Sequence, residues 1–152
     1  MFEINSSNRN NKAQKNAEKI VKQMYDDDKF SKWLGIEIID VSPGKVVAKL
    51  TVREDMLNGF GIMHGGISYA LADSAFAFAA NSHGRICVSL NQTMNYPAAC
   101  SAGDELIASA EEISLSQKTG VYDVTVKNQN NETVGLFRGT VYRTTKHHEL
   151  KD

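Results

Sequence analysis

The stretch GGISYALADSAFAFAANS, residues 65–82, limits what this chain can fold into more than any other. It reads as one long helix, rich in alanine, opened by two glycines and closed by Asn81-Ser82. A helix this apolar is stable only when other elements cover most of its surface. After the helix the pattern turns to strand. Segments 85–97, 104–115, 119–128 and 132–143 are separated by short turns. In the third of them Tyr122, Val124 and Val126 face one way, and Asp123, Thr125 and Lys127 the other. The run NQNNE, 128–132, reads as a hairpin turn. Ahead of the helix, Val46, Ala48, Leu50 and Val52 alternate with Val47, Lys49, Thr51 and Arg53. That strand pairs with GIEIIDV through the Ser42-Pro43-Gly44 turn. Connections this short predict an antiparallel sheet, with the last four strands in a meander. One long helix buried against one sheet is a two-layer α+β domain.

The N-terminal region follows a different period. Ala17, Ile20, Val21 and Met24 fall on one face of a helix expected over 12–25. Asp28 is placed to cap a short second helical turn, and Gly35 to end it. Residues 1–11, rich in Asn and Ser, and 146–152 are expected as flexible tails around a single domain, 12–145. The 152 residues are enough for one core. A net charge of −1 gives no reason to expect nucleic acid or an anionic membrane as partner. No run approaches the ~18 apolar residues of a membrane span, and the polar N-terminus lacks the apolar core of a signal peptide. The expectation is a cytoplasmic protein. Cys87 and Cys100 form no CxxC and read as free thiols.

Within the apolar helix stands Asp73. An ionised carboxylate is costly to bury unless it is paired or used. Helical spacing puts it on one stripe with Gly66, Ala70, Ala77 and Ala80, all small, beside a bulkier stripe of Ile67, Leu71 and Phe78. The carboxylate therefore borders the buried face with room around it for a ligand or another backbone. A structural ion pair with a Lys or Arg is the plainer reading. At the helix start, Gly65 and Gly66 let a ligand approach backbone N–H groups that have no intrahelical partner. Such groups suit an oxyanion; a tight strand-to-helix turn would explain the glycines equally well.

Eight residues separate Gly65 from Asp73, roughly 12 Å along a helix axis. An oxyanion donor and an attacking group must both lie ~3 Å from one reacting centre. The two groups of one chain are too far apart for that. Joint use requires Asp73 of one chain and Gly65 of another, as a two-fold dimer with antiparallel central helices would supply twice.

The segment MLNGFGIMHGGISYALADSAFAFAANS resembles the hotdog-fold acyl-CoA thioesterases, specifically the phenylacetate-degradation (hydroxyphenylacetyl-CoA) thioesterase type. The likeness extends through LGIEIIDVSPGKVVAKLTV, NYPAACSAGDELIASA and KTGVYDVTVKNQNNETVGLFRGTVYR. It rests on Asn58, His64-Gly65-Gly66 and Asp73 at these spacings. The resemblance implies a hotdog fold, a long central helix wrapped by a curved antiparallel sheet, here with an extra N-terminal helix. It implies a homodimer or homotetramer with sites across the subunit interface. By position, Asp73 would attack the thioester or activate water, and the Gly65 N–H would polarise the carbonyl. Asn58 would position water or the carbonyl, and His64 would order the loop around Asn58. Gly66 and Ser74 would lie against substrate. Some relatives carry a hydroxyl residue one turn after the acid, where this chain has Ala77. Coenzyme A enters as part of the substrate, with no separate cofactor and no metal. The implied activity is hydrolysis of aryl- or short/medium-chain acyl-CoA thioesters to free acid and coenzyme A.

Two other readings belong to other classes. A hotdog hydratase or dehydratase would recruit His64 beside an acid and alter the acyl chain. A non-catalytic acyl-CoA-binding protein would keep the fold alone. A serine-hydrolase site is disfavoured because Ser68 lacks a G-x-S-x-G elbow, and His64, His83, His147 and His148 show no metal-ligand spacing. Arg85, Lys118, Arg138 and Arg143 are candidates for the coenzyme A phosphates. Phe60, Met63 and Tyr69 are candidates for the pocket wall.

Overall fold

A computed structural model describes residues 2–151. The chain runs α1 (Phe2–Asp27), α2 (Lys29–Leu34), β1 (Glu37–Ser42), β2 (Lys45–Thr51), a 3-10 turn (Glu54–Met56), α3 (Gly65–Asn81), β3 (Arg85–Asn95), β4 (Glu105–Leu115), β5 (Thr119–Lys127) and β6 (Thr133–His147). The strands form one six-stranded sheet in the order β1-β2-β4-β5-β6-β3, with every pairing antiparallel. Register shifts interrupt β1, β3 and β4. Bulges of this kind bend strands, and the sheet curves around α3. This is the expected hotdog architecture.

Alternation along β2, β4 and β5 puts Val46, Ala48, Leu50, Leu106, Ala108, Tyr122, Val124 and Val126 into the core. From the helix come Leu71, Ala72, Ala75, Phe76, Phe78 and Ala79. Close approach of helix and sheet depends on Gly139 of β6. A Cβ there would lie 2.6 Å from Cζ of Phe76. The stripe Gly66–Ala70–Asp73–Ala77 is the less covered side of α3, as the small-residue pattern predicts, but Ala80 on the same stripe is buried near the end of the helix.

One expectation about connectivity changes. The meander holds for β4, β5 and β6, but β3 pairs with β6 at the far edge and β4 lies beside β2. Periodicity tells which face of a strand is buried, not which strand is its neighbour. The helix also starts earlier than expected, since residues 2–11 continue α1. Its predicted face does turn inward, with Ala17, Ile20 and Val21 buried. Asp28 caps α2 by accepting from the Ser31 N–H at 2.9 Å, and Gly35 ends it at φ +78°. At the other end, β6 runs past residue 145. His148 N–H then donates to Gly84 O at 2.8 Å, and Gln23 Nε2 donates to Glu149 O at 3.0 Å. Met1 and Asp152, the outermost residues of the two expected tails, lie outside the described residues.

Candidate active site

The N-terminus of α3 is built by His64. Its Nδ1 accepts the Gly66 N–H at 2.9 Å, and its backbone oxygen accepts the Ile67 N–H at 3.0 Å. The imidazole therefore serves as the helix cap. A Cβ on Gly66 would sit 3.0 Å from that Nδ1, so glycine keeps the cap in reach. Among the described residues no acceptor pairs with the Gly65 N–H. It is a first-turn donor that lines a cavity, at the positive end of the helix dipole.

That cavity, about 320 Å³, is lined by Asn58, Met63, Gly65, Tyr96, Cys100 and Val134, among others. Asn58 Oδ1 accepts from the Phe60 N–H at 2.9 Å and the Ile62 N–H at 3.4 Å. Its backbone N–H donates to Ile62 O at 2.8 Å. The Asn58 carbonyl thus holds its own loop, and Nδ2 is the end left without a partner among the described residues. What Asn58 offers the cavity is a donor. The ring of Tyr96 lies over Gly65, where an added Cβ would meet Cε1 at 3.2 Å. Burial pushes the Cys100 thiol up to about 11, so it stays protonated and inert at neutral pH.

Asp73 is not in this cavity. It lies two turns further along α3, half-buried, and no Lys, Arg or His pairs with it among the described residues. Its Oδ1 accepts from Gln92 Nε2 at 2.5 Å. Gln92 Oε1 in turn accepts from the Tyr69 hydroxyl at 2.5 Å. Burial raises the Asp73 pKa, the Gln92 hydrogen bond opposes the rise, and the negative charge of Asp28 adds to it.

Of the predicted residues, Asn58, His64, Gly65 and Gly66 gather at the helix start, and Asp73 stands apart with Ser74. The Ser74 hydroxyl faces Ser31 Oγ at 2.9 Å, and Ser31 Oγ donates to Asp28 Oδ2 at 2.5 Å. Ser74 thereby ties α3 to the cap of α2. Sequence reasoning missed Gln92. Its only local signal is a polar side chain facing the helix from a strand, and its partner is distant in the chain.

The basic candidates also separate. Arg138 forms a two-pronged pair with Asp123, at 2.6 and 2.8 Å. Arg85 donates to the carbonyls of Gln117, Arg143 and Thr144, each at 2.8 Å. Arg143 Nη1 donates to Ser116 O at 2.5 Å, and its backbone N–H to Lys118 O at 2.8 Å. Arg85, Arg143 and Lys118 thus meet at one end of the sheet, and none has a carboxylate partner among the described residues. No described helix is long and apolar enough to cross a membrane.

The family model of the thioesterase superfamily matches residues 60–134. The acyl-coenzyme A thioesterase PaaI of Escherichia coli K12 is 43% identical over 120 residues, covering 79% of this chain and 86% of its own. The solved structure of E. coli PaaI superposes with a TM-score of 0.86, covering 88% of this chain and 97% of that one, at 40% identity. A mutant of the phenylacetic acid degradation protein PaaI from Thermus thermophilus gives a TM-score of 0.75 at 42% identity, over 77% and 100% of the two chains. A Streptococcus mutans protein solved with bound acetyl-CoA gives 0.72 at 28% identity, over 74% and 91%. The chain belongs to the hotdog-fold thioesterase superfamily and is closely related to the PaaI-type phenylacetate-degradation thioesterases.

Proposed function

We propose that this protein hydrolyses aryl- or short/medium-chain acyl-CoA thioesters to free acid and coenzyme A, at sites shared between two copies of the chain. The observation that carries this reading is the arrangement on α3. Among the described residues, the Gly65 N–H has no partner and faces a cavity beside the Asn58 amide, and a carboxylate paired with no cation lies roughly 12 Å further along the same helix. Neither half completes a site alone. Antiparallel α3 helices in a homodimer, or in each half of a homotetramer, bring the Asp73 of one copy to the Gly65 of the other. The β3 edge supports such pairing. Among the described residues it is unpartnered on one side, and it carries exposed Val88 and Leu90.

In this site the thioester carbonyl oxygen accepts from Gly65 N–H, with Asn58 Nδ2 as second donor. A single donor of this kind contributes roughly 2.7–4 kcal/mol to stabilising the oxyanion. The Asp73 carboxylate attacks the carbonyl carbon or takes a proton from the water that does. A C–O bond forms, the C–S bond breaks, and coenzyme A leaves as thiolate, which takes up the proton that water gives up; where Asp73 itself attacks, water then hydrolyses the acyl-aspartate anhydride and frees the acid. His64 holds the helix start. Of the four basic candidates, Arg85, Arg143 and Lys118 have no carboxylate partner among the described residues and keep their charge for the coenzyme A phosphates, whereas Arg138 is neutralised by Asp123.

The test is a panel of acetyl-, hexanoyl-, benzoyl- and phenylacetyl-CoA with detection of free thiol. Thiol release that falls about 10²–10⁴-fold in Asp73→Asn supports the reading. An altered acyl chain without thiol release points instead to a hydratase, and no product at all to a binding protein. Mixing Asp73→Asn with Gly65→Val chains tests the shared site. Half of the dimers are then mixed, each with one intact site, so about a quarter of wild-type activity returns. No return means that each chain holds its own complete site.

A further inference from the structure

Gln92 has every polar atom engaged. Its Nε2 donates to Asp73 Oδ1 at 2.5 Å and to Ser89 Oγ at 3.0 Å, and its Oε1 accepts from the Tyr69 hydroxyl at 2.5 Å. An ionised carboxylate only accepts hydrogen bonds. The amide must therefore turn its NH₂ toward Asp73, which leaves its carbonyl facing Tyr69 and obliges the phenol to donate. Tyr69 sits one helical turn before Asp73, on the same side of α3. Its ring is braced edge-on against Phe137, with centroids 5.8 Å apart. Flipping the amide would set a carbonyl against the carboxylate and leave the phenol without its acceptor.

The two oxygens of Asp73 differ as a result. Oδ1 is tied to β3. Oδ2 has no hydrogen-bond partner among the described residues, and no buried side-chain oxygen or nitrogen among them is left unpaired. Oδ2 therefore reaches solvent. We propose that Gln92 and Tyr69 are positioning residues that clamp Oδ1 of Asp73 and present Oδ2 as the oxygen that acts on the thioester or on its attacking water. This deepens the assignment of Asp73 and rests on it.

The groups around the carboxylate set the direction of the test. Asp28, ahead of α2, is the charged group acting on it, Tyr69 is the titratable neighbour on its own helix, and Tyr96 acts in turn on Tyr69. Burial and Asp28 favour the protonated acid, and the Gln92 N–H favours the ionised form. Without that donor, the two opposing influences act alone.

The experiment measures kcat/KM against pH for wild type, Gln92→Leu, Tyr69→Phe and Asp73→Asn, using the fastest substrate among the four CoA thioesters. In Gln92→Leu the acid limb is expected to move to higher pH by about one unit. Its kcat should fall about tenfold while KM stays within about threefold, the pattern of an interaction made in the transition state. Tyr69→Phe, which keeps the ring against Phe137, should move the limb the same way by less. A role in folding alone would lower the melting temperature and the activity at every pH and leave the limb in place. If Asp73→Asn is inactive while the limb and kcat of a folded Gln92→Leu match wild type, the clamp is overturned and Asp73 stands. If Asp73→Asn keeps its turnover, both assignments fall. Should Gln92→Leu not fold, Tyr69→Phe carries the comparison, and an unmoved limb there overturns the clamp.

Discussion

Replacing Gly139 with alanine tests how the sheet seats the helix and, through it, the carboxylate. The added Cβ would lie 2.6, 2.7 and 2.9 Å from Cζ, Cε2 and Cε1 of Phe76. Carbon atoms pack best at about 3.5–4.0 Å, so one partner must retreat by about 1 Å. Phe76 cannot tilt away. It is fully buried, with the Tyr122 ring 5.8 Å away and the Phe137 ring 5.4 Å away. The helix must lift from the sheet. Overpacking of this kind costs about 1–3 kcal/mol, and the rigid cage around Phe76 argues for the upper half. For a domain of this size, a loss of about 2–3 kcal/mol lowers Tm by roughly 4–12 °C. Gly139 lies opposite Gln92 in the β3–β6 register. Lifting α3 there also pulls Asp73 away from its clamp, so turnover should fall with stability. Thermal melts at fixed protein concentration and thiol release read the two effects. Adding Phe76→Leu should relieve both, with a coupling of about 1–2 kcal/mol in the double-mutant cycle. A Gly139→Ala melt within about 0.5 kcal/mol of wild type, or costs that simply add in the double variant, would refute the reasoning.

Asp73→Asn should melt higher than wild type at neutral pH. Burial raises the folded-state pKa of the carboxyl, so above that pKa the ionised group costs stability. The gain should vanish as pH falls through the folded pKa, where the wild-type acid takes up its proton; equal melts at neutral pH would contradict it. His64→Ala removes the cap of α3 and should cost about 1 kcal/mol, whereas His64→Asn, which can still accept the Gly66 N–H, should stay near wild type. Equal losses in both variants would mean that the ring does more than cap. Lys118→Ala, at an exposed position without an ion-pair partner among the described residues, should leave Tm within the equivalent of about 0.5 kcal/mol. It should raise KM for CoA thioesters with kcat unchanged, and an unchanged KM removes Lys118 from the phosphate site.

Much of the candidate site is legible because its signals are local. His64, Gly65 and Gly66 act on one another within three residues, and the donor they leave open follows from how any helix begins. The roughly 12 Å from Gly65 to Asp73 follows from helical rise alone. The small stripe through Ala70 and Ala77 predicted the less covered side of α3. Ser74, which the resemblance sets against substrate, has its hydroxyl on Ser31, 43 residues away in the chain, a contact its neighbours in sequence do not announce. Nothing near Gln92 in sequence says what it touches.

By itself, then, the amino-acid order determined the elements, the buried faces, the cap of α3 and the spacing of its two chemical ends, since all of these depend on neighbours within a few residues. Only the tertiary structure decided that β3 closes the far edge beside β6, and hence that Gln92 meets Asp73 while Asn58 meets Gly65 across a cavity. Strand pairing joins residues far apart in the chain through backbone groups that every residue carries. The choice of neighbour therefore belongs to the packed sheet and helix as a whole, and no short stretch of side chains records it.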